Sequence, residues 1–166
     1  MRTDPADRGL LLVILDESFD RPAWHGPNLR RALRGVSPVR AAWRAAPGRN
    51  SIWELLLHCA YWKYAVRRKL VGGPRGAFPR RPANFPAVPA LADAAAWRAD
   101  LALLEEEHRR LREAVASLPA QRLRQRGGRS APLRLIRGIA AHDLYHAGQI
   151  RLLVKLCPIG RRASPA

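Results

Sequence analysis

The stretch from 51 to 70, SIWELLLHCAYWKYAVRRKL, constrains the fold more than any other part of the chain. Asn50 or Ser51 suits the N-cap of a helix here, and three basic residues crowd its far end, as the helix dipole prefers. The first half is apolar nearly all round, which is typical of a helix covered by neighbours on every side. The segment therefore predicts the central helix of a bundle.

The rest of the chain supplies helices that can pack around it. Apolar residues at helical spacing predict four long helices and a short extra one after the first, at 7–19, 28–34, 51–70, 93–118 and 132–156. A further turn is predicted at 38–44. We expect an all-α four-helix bundle, with no strand pattern of useful length and no internal repeat.

Two long connections are predicted between these helices. Residues 72–90 hold two adjacent glycines, five prolines and no acids, which indicates a loop that runs over the surface or caps one end of the bundle. Residues 120–130 are rich in Arg and Gly and predict a polar loop. On the helix before that loop, glutamates 105–107 and His108 are predicted to lie on a solvated outer face.

Length and composition set the organisation of the chain. With 166 residues, 48% hydrophobic and 26% charged, it is long enough for one globular domain, which we place at 1–160 with a flexible tail at 161–166. No apolar run approaches the roughly 20 residues that span a bilayer, and no signal peptide is evident. We therefore expect a cytoplasmic protein without a membrane partner. Cys59 and Cys157 form no CxxC motif and predict no disulfide framework.

A net charge of +17 raises the question of nucleic-acid binding. The basic residues are almost all arginine, and they interleave with apolar residues as on solvated helix faces. No recognition motif accompanies them. We expect no specific nucleic-acid partner.

The last predicted helix contains the sequence His142-Asp-Leu-Tyr-His146. Residues four apart lie one above the other on a helix, so two imidazoles there can chelate one ion. Their neighbours are apolar, and His58 lies in the most hydrophobic helix of the chain. A single buried histidine is usually a hydrogen-bonded core residue. Three inward histidines from two helices are better explained by a shared divalent transition-metal ion.

The HxxxH spacing also invites comparison with the zinc proteases. Those enzymes carry HExxH, with the glutamate as general base. Here Asp143 takes that place, and no His, Asp or Glu follows His146 to act as a third ligand. The pattern argues against a metalloprotease.

Four further residues are candidates for the site. Glu54, one turn before His58, is either a hydrogen-bond acceptor for an imidazole or only a partner of the helix dipole. Gln149 lies close enough along its helix to reach the site. Tyr145 either donates a hydrogen bond to a substrate or simply packs, and His25 is a candidate residue at the rim of the site.

Three segments together carry a resemblance to a known family. They are WHGPNLRRAL from Trp24, NSIWELLLHCAYW from Asn50 and GIAAHDLYHAGQI from Gly138. In this order and spacing the chain resembles the DinB-like (damage-inducible) superfamily, which includes the YfiT-type metal-dependent hydrolases. The resemblance covers nearly the whole chain.

The resemblance implies a four-helix bundle of the DinB/YfiT type, with one metal ion bound by a single histidine and an HxxxH pair. These correspond to His58, His142 and His146. Zinc or nickel is typical of the family, and many members are homodimers. Some relatives are transferases or isomerases that use low-molecular-weight thiols such as bacillithiol or mycothiol.

Three functions follow as alternatives for such a site. Three imidazoles leave a coordination position open, as in catalytic rather than structural zinc sites. The first function is hydrolysis of a small-molecule substrate by metal-activated water. The second is thiol-dependent S-transfer or isomerisation through a metal-bound thiolate. The third is non-enzymatic metal binding in a stress response.

Overall fold

The computed structural model describes residues 5–89, 92–123, 125 and 128–159. Every regular element in these ranges is helical, which confirms the predicted all-α class. The helices are α1 (Pro5–Phe19), α2 (Leu29–Leu33), α3 (Pro38–Ala42), α4 (Ile52–Val71), α5 (Ala94–Ser117), α6 (Ala120–Leu123) and α7 (Pro132–Leu156). The predicted tail at 161–166 lies outside the described residues. No helix in the described part of the chain is long and apolar enough to cross a membrane.

The four long helices form the bundle, and α4 lies at its centre. It packs against α5 on one side and α7 on the other, while α1 closes the bundle by packing on α7 and α5. Ser51 and Glu54 form a reciprocal capping box at the start of α4, so the predicted N-terminus is confirmed. The helix ends at Gly72, whose φ of +87° disfavours residues that carry a Cβ.

Two segments outside the predicted helices contain short helical elements. The turn at 38–44 contains the short helix α3, capped by the Ser37 side chain. The segment 120–130 was predicted as a plain loop, yet it contains α6 and one turn of 3₁₀ helix. The buried Leu123 explains the difference, because it joins the core and holds the chain against the bundle. Arg122 adds a hydrogen bond to the Leu70 carbonyl, at 3.2 Å.

The core consists of two apolar clusters separated by a buried polar layer. One cluster includes Leu56 of α4 and Leu104 of α5, and the other includes Leu70 and Leu111 farther along the same helices. Between them along each helix lie three buried polar residues, which are Lys63 on α4, His108 on α5 and Asp143 on α7. Buried polar groups need partners, and Lys63 supplies one to each of the other two residues.

The prediction that His108 and Glu107 face solvent was wrong. Both side chains are buried, at 6% and 2% exposure. They follow the inward-facing Leu104 at spacings of four and three residues, so helical geometry turns them toward the core despite their charged neighbours. The His108 ring stacks on Phe19 with centroids 3.8 Å apart, and Glu107 accepts hydrogen bonds from Arg67.

The loop between α4 and α5 is fastened to the bundle over its described length, 72–89. The Phe78 side chain is buried in the core. The Tyr64 hydroxyl donates to the Pro74 carbonyl and accepts from the Ala77 amide. Farther along, Arg80 donates to Asp100 of α5 at 2.8 Å. These contacts hold the first half of the loop against α4 and its middle against α5.

Candidate metal centre

Helix geometry brings the three predicted histidines together. His58 lies on the central helix α4, and His142 and His146 lie one turn apart on its neighbour α7. His58 and His146 are buried, and His142 is half-buried. We refer to His58, His142 and His146 as the histidine cluster.

The imidazoles meet through their Nε2 atoms. The Nε2 of His142 lies 3.0 Å from that of His58 and 3.1 Å from that of His146. The potential ligand atoms of the three residues all lie within 4.8 Å of one another. The three side chains therefore point at a common position between α4 and α7.

The hydrogen bonds made by Nδ1 of His58 and of His146 determine the tautomers of these two rings. His58 Nδ1 lies 2.7 Å from the Asn84 carbonyl oxygen, and His146 Nδ1 lies 2.7 Å from Gln149 Oε1. These oxygens only accept, so each Nδ1 is the protonated donor and each Nε2 presents a lone pair. A proton on His142 Nε2 can form a good hydrogen bond with only one of the other two Nε2 atoms. A metal cation can bind all three nitrogens.

Burial keeps the histidine cluster neutral. Desolvation lowers the pKa of His58 and of His146, although their hydrogen bonds to the Asn84 carbonyl and to Gln149 oppose the shift. Desolvation, together with the two neighbouring imidazoles, lowers the pKa of His142 to about 3. Neutral imidazole is the form that binds a metal ion, so the rings are ready to coordinate near pH 7.

The spacing of the nitrogens fits a first-row transition metal. Tetrahedral zinc with Zn–N bonds of about 2.0–2.1 Å places its ligand nitrogens about 3.3 Å apart. The two separations that involve His142, 3.0 and 3.1 Å, require only a slight opening. Three protein ligands leave at least one coordination position for water or substrate. His142 Nδ1 has no hydrogen-bond acceptor among the described residues, so two of the three rings are oriented by partners.

Glu54 lies outside the histidine cluster's hydrogen bonds. One carboxylate oxygen accepts from the Ser51 amide at 2.8 Å, and the other accepts from Arg44 at 2.7 Å. These contacts match the predicted role of Glu54 at the helix N-terminus and not that of an acceptor for an imidazole.

The two candidates on α7 lie beside the histidine cluster. Gln149 contacts His146 directly. Tyr145 is 64% exposed, and its ring meets the His146 ring edge-on with centroids 4.9 Å apart. Its phenol is therefore free to reach a molecule that approaches from solvent.

The structure places His25 elsewhere. It is exposed and lines a groove between α1 and α7 together with Ile14, Leu133 and Arg137. No member of the histidine cluster lines this groove. The role of His25 at the rim of the metal centre stays a prediction.

Sequence reasoning missed three residues around His58. The Phe85 ring stacks on the His58 ring with centroids 4.1 Å apart and an angle of 14° between planes. Trp62 donates from Nε1 to Asn84 Oδ1 at 2.8 Å. Trp62 follows His58 by four residues and was predictable from helical spacing. Asn84 and Phe85 come from a loop without periodicity and were not.

Asp143 also differs from the glutamate of the zinc proteases in where it points. Its side chain is fully buried and forms an ion pair with Lys63. It cannot serve as a general base for a water at the histidine cluster. Cys59, His142 and Asp143 form a second group with metal-ligand spacing. Burial raises the pKa of the Cys59 thiol well above its usual value, which makes this group the poorer ligand set.

The fold and the site together define a helical bundle with a buried histidine group that can hold a metal ion. The family model of the DinB superfamily matches residues 23–150, a range that contains the whole histidine cluster. The chain belongs to the DinB superfamily. No curated protein and no solved structure matches it.

Proposed function

We propose that the protein binds one divalent transition-metal ion through the histidine cluster and hydrolyses a small-molecule substrate with metal-activated water. The convergence of the three Nε2 atoms, with that of His142 at 3.0 and 3.1 Å from the other two, carries this proposal. His58 and His146 donate from Nδ1 to oxygen acceptors, so their Nε2 atoms present lone pairs to the same position. A cation bound at that position would satisfy both lone pairs. Imidazole ligands suit both zinc and nickel, the two metals we expect.

The protein's own residues divide the remaining tasks. A divalent metal held by His58, His142 and His146 would supply Lewis acidity, enough to bring the pKa of a water to about 7. Gln149 holds the His146 ring in its ligating orientation. Phe85 covers one face of His58 and excludes water there. Tyr145, exposed beside His146, is placed to donate a hydrogen bond to a bound substrate.

The test is turnover by the reconstituted protein. Apoprotein would be loaded with zinc, nickel or cobalt and assayed with p-nitrophenyl esters and anilides, with and without an added thiol. We expect metal-dependent hydrolysis without thiol, lost in His142→Ala and reduced in Tyr145→Phe. Activity that appears only with the thiol would replace hydrolysis by thiol transfer. No turnover by fully loaded protein with either substrate class would favour a non-enzymatic metal-binding role.

A further inference from the structure

We propose that Asn84 is a positioning residue for the metal centre, through which the loop at 72–89 sets the affinity for the ion. Its backbone carbonyl holds His58 with the proton on Nδ1, and its side chain fixes that carbonyl in place. This inference rests on the proposed metal binding and extends it to a segment outside the helices.

Asn84 bonds to two successive turns of α4. Its carbonyl oxygen accepts from His58 Nδ1 at 2.7 Å, and its side-chain Oδ1 accepts from Trp62 Nε1 at 2.8 Å. His58 and Trp62 are four residues apart and therefore share one face of the helix. The bond from Trp62 sets the position of Asn84 along α4. The Asn84 carbonyl is therefore a fixed acceptor for His58 Nδ1.

The backbone at Asn84 points to the same conclusion. Asn84 has a φ of +72°, the only positive φ at a non-glycine residue in the described part of the chain. Such a conformation is unfavourable for L residues, and asparagine tolerates it better than most. Unfavourable backbone conformations persist where the surroundings enforce them, often at functional sites. Here the conformation allows the carbonyl and the side chain to reach α4 together.

The loop around Asn84 is closed and anchored. The Ala87 amide donates to the Arg81 carbonyl at 2.8 Å, which closes the turn that contains Asn84. Just before this turn, Arg80 donates to Asp100. Asp100 also accepts from Trp53 Nε1 at 2.8 Å. The turn is therefore tied to both α4 and α5, which gives it the support to hold a strained residue.

Asn84 itself is exposed, so its side chain contributes little to the core. This makes it suitable for substitution. Asn84→Gly keeps the carbonyl and tolerates the positive φ but loses the bond to Trp62. Asn84→Ala loses the same bond and also disfavours the backbone conformation. Arg81→Ala is the matched control, because it removes an exposed side chain from the same loop and leaves the backbone contact to Ala87.

Two measurements test the role of Asn84. The first is the tautomer of His58 in the apoprotein, read from long-range ¹H–¹⁵N correlations of the imidazole. We expect Nδ1–H in the wild type and in Arg81→Ala, and a mixture with Nε2–H in Asn84→Ala. The second is the zinc dissociation constant, measured by competition with a chromophoric chelator. Loss of an orienting partner weakens metal binding by about 10- to 100-fold. We expect an increase in this range for Asn84→Ala, a smaller one for Asn84→Gly and none for Arg81→Ala.

The outcomes separate this inference from the proposed function. If the wild type binds zinc and Asn84→Ala binds it equally well, with the same His58 tautomer, the role of Asn84 is overturned and metal binding stands. If the wild type binds no metal, the proposed function fails and the role of Asn84 fails with it. A melting temperature of Asn84→Ala close to that of the wild type, with the affinity lost, supports positioning rather than a general loss of structure.

Discussion

Lys63 and Asp143 form an ion pair whose two side chains are both fully buried between α4 and α7. Asp143 directly follows His142, and Lys63 lies five residues after His58, so the pair joins the two helices that carry the histidine cluster. Lys63 also donates to His108 Nδ1 at 3.4 Å. This buried polar layer connects three of the four long helices immediately beside the metal centre.

Removing one member of this ion pair should cost more than removing both. Lys63→Met leaves the Asp143 carboxylate buried without its partner, and breaking a buried pair in this way costs about 3–5 kcal/mol. The double variant Lys63→Met with Asp143→Leu replaces both charges by apolar groups and should recover most of that loss. The measurement is the free energy of unfolding of metal-free protein in urea.

Lys69→Met is the control for this comparison, because Lys69 is an exposed lysine on the same helix. We expect its free energy of unfolding to stay within about 0.5 kcal/mol of the wild type. A double variant as unstable as Lys63→Met alone would show that the loss comes from packing rather than from an unpaired charge.

His108 should make the fold sensitive to acid. Burial, followed by the nearby Lys63 and Arg112 cations, lowers the pKa of His108 from 6.5 to about 2. Between these values the unfolded chain binds a proton that the folded protein does not, so stability falls as the pH drops below about 6.5. For this one group, linkage gives a loss of roughly 2 kcal/mol between pH 7 and pH 5.

His108→Gln tests that contribution, since an amide oxygen can still accept from Lys63 and the side chain does not titrate. The variant should lose about 2 kcal/mol less stability than the wild type between pH 7 and pH 5, measured by urea unfolding of the metal-free proteins. If the wild type and His108→Gln lose the same stability between pH 7 and pH 5, the acid sensitivity comes from groups other than His108.

Gln149 should affect metal affinity through His146. Gln149→Leu removes the acceptor of the His146 Nδ1 proton, which lies 2.7 Å away, and leaves the three ligands in place. We expect the zinc dissociation constant to rise about 10-fold or more. Gln149→Glu keeps an acceptor and should preserve the affinity. If zinc affinity falls equally in both variants, the site depends on the amide of Gln149 and not merely on an acceptor for the His146 proton.

Metal removal should lower the stability of the whole fold. If the ion binds only the folded protein, a free concentration of about 100 times the dissociation constant adds roughly 2.7 kcal/mol to the free energy of unfolding. Treatment with a chelator, with metal loss confirmed by elemental analysis, should therefore lower the melting temperature. An unchanged melting curve would show that the site contributes nothing to folding. His142→Ala is the control and should respond little to the chelator.

Most of the helical framework was predictable because its signals are local. His142 and His146 are four residues apart on a helix that periodicity predicts, so their shared face follows from the sequence. The same holds for the capping box of Ser51 and Glu54. His108 was misplaced because its charged neighbours outweighed its spacing from Leu104, although that spacing indicates the inward face.

The surroundings of the histidine cluster were less predictable for two physical reasons. Asn84 acts partly through its backbone carbonyl, which every residue type possesses, so no pattern marks it. It also lies 26 residues from His58 along the chain, in a loop that helical periodicity does not describe. The Lys63–Asp143 pair spans 80 residues and depends on the relative rotation of two helices. Such contacts depend on the packed fold.

The central claim is tested most directly by the metal content of untagged protein purified without chelators. Elemental analysis of the wild type should find about one equivalent of zinc or nickel per chain. His58→Ala, His142→Ala and His146→Ala should each lose it, while His25→Ala, which removes an exposed histidine outside the cluster, should retain it. A wild type that holds no metal even after reconstitution, or single variants that keep a full equivalent, would contradict the assignment of the histidine cluster as a metal centre.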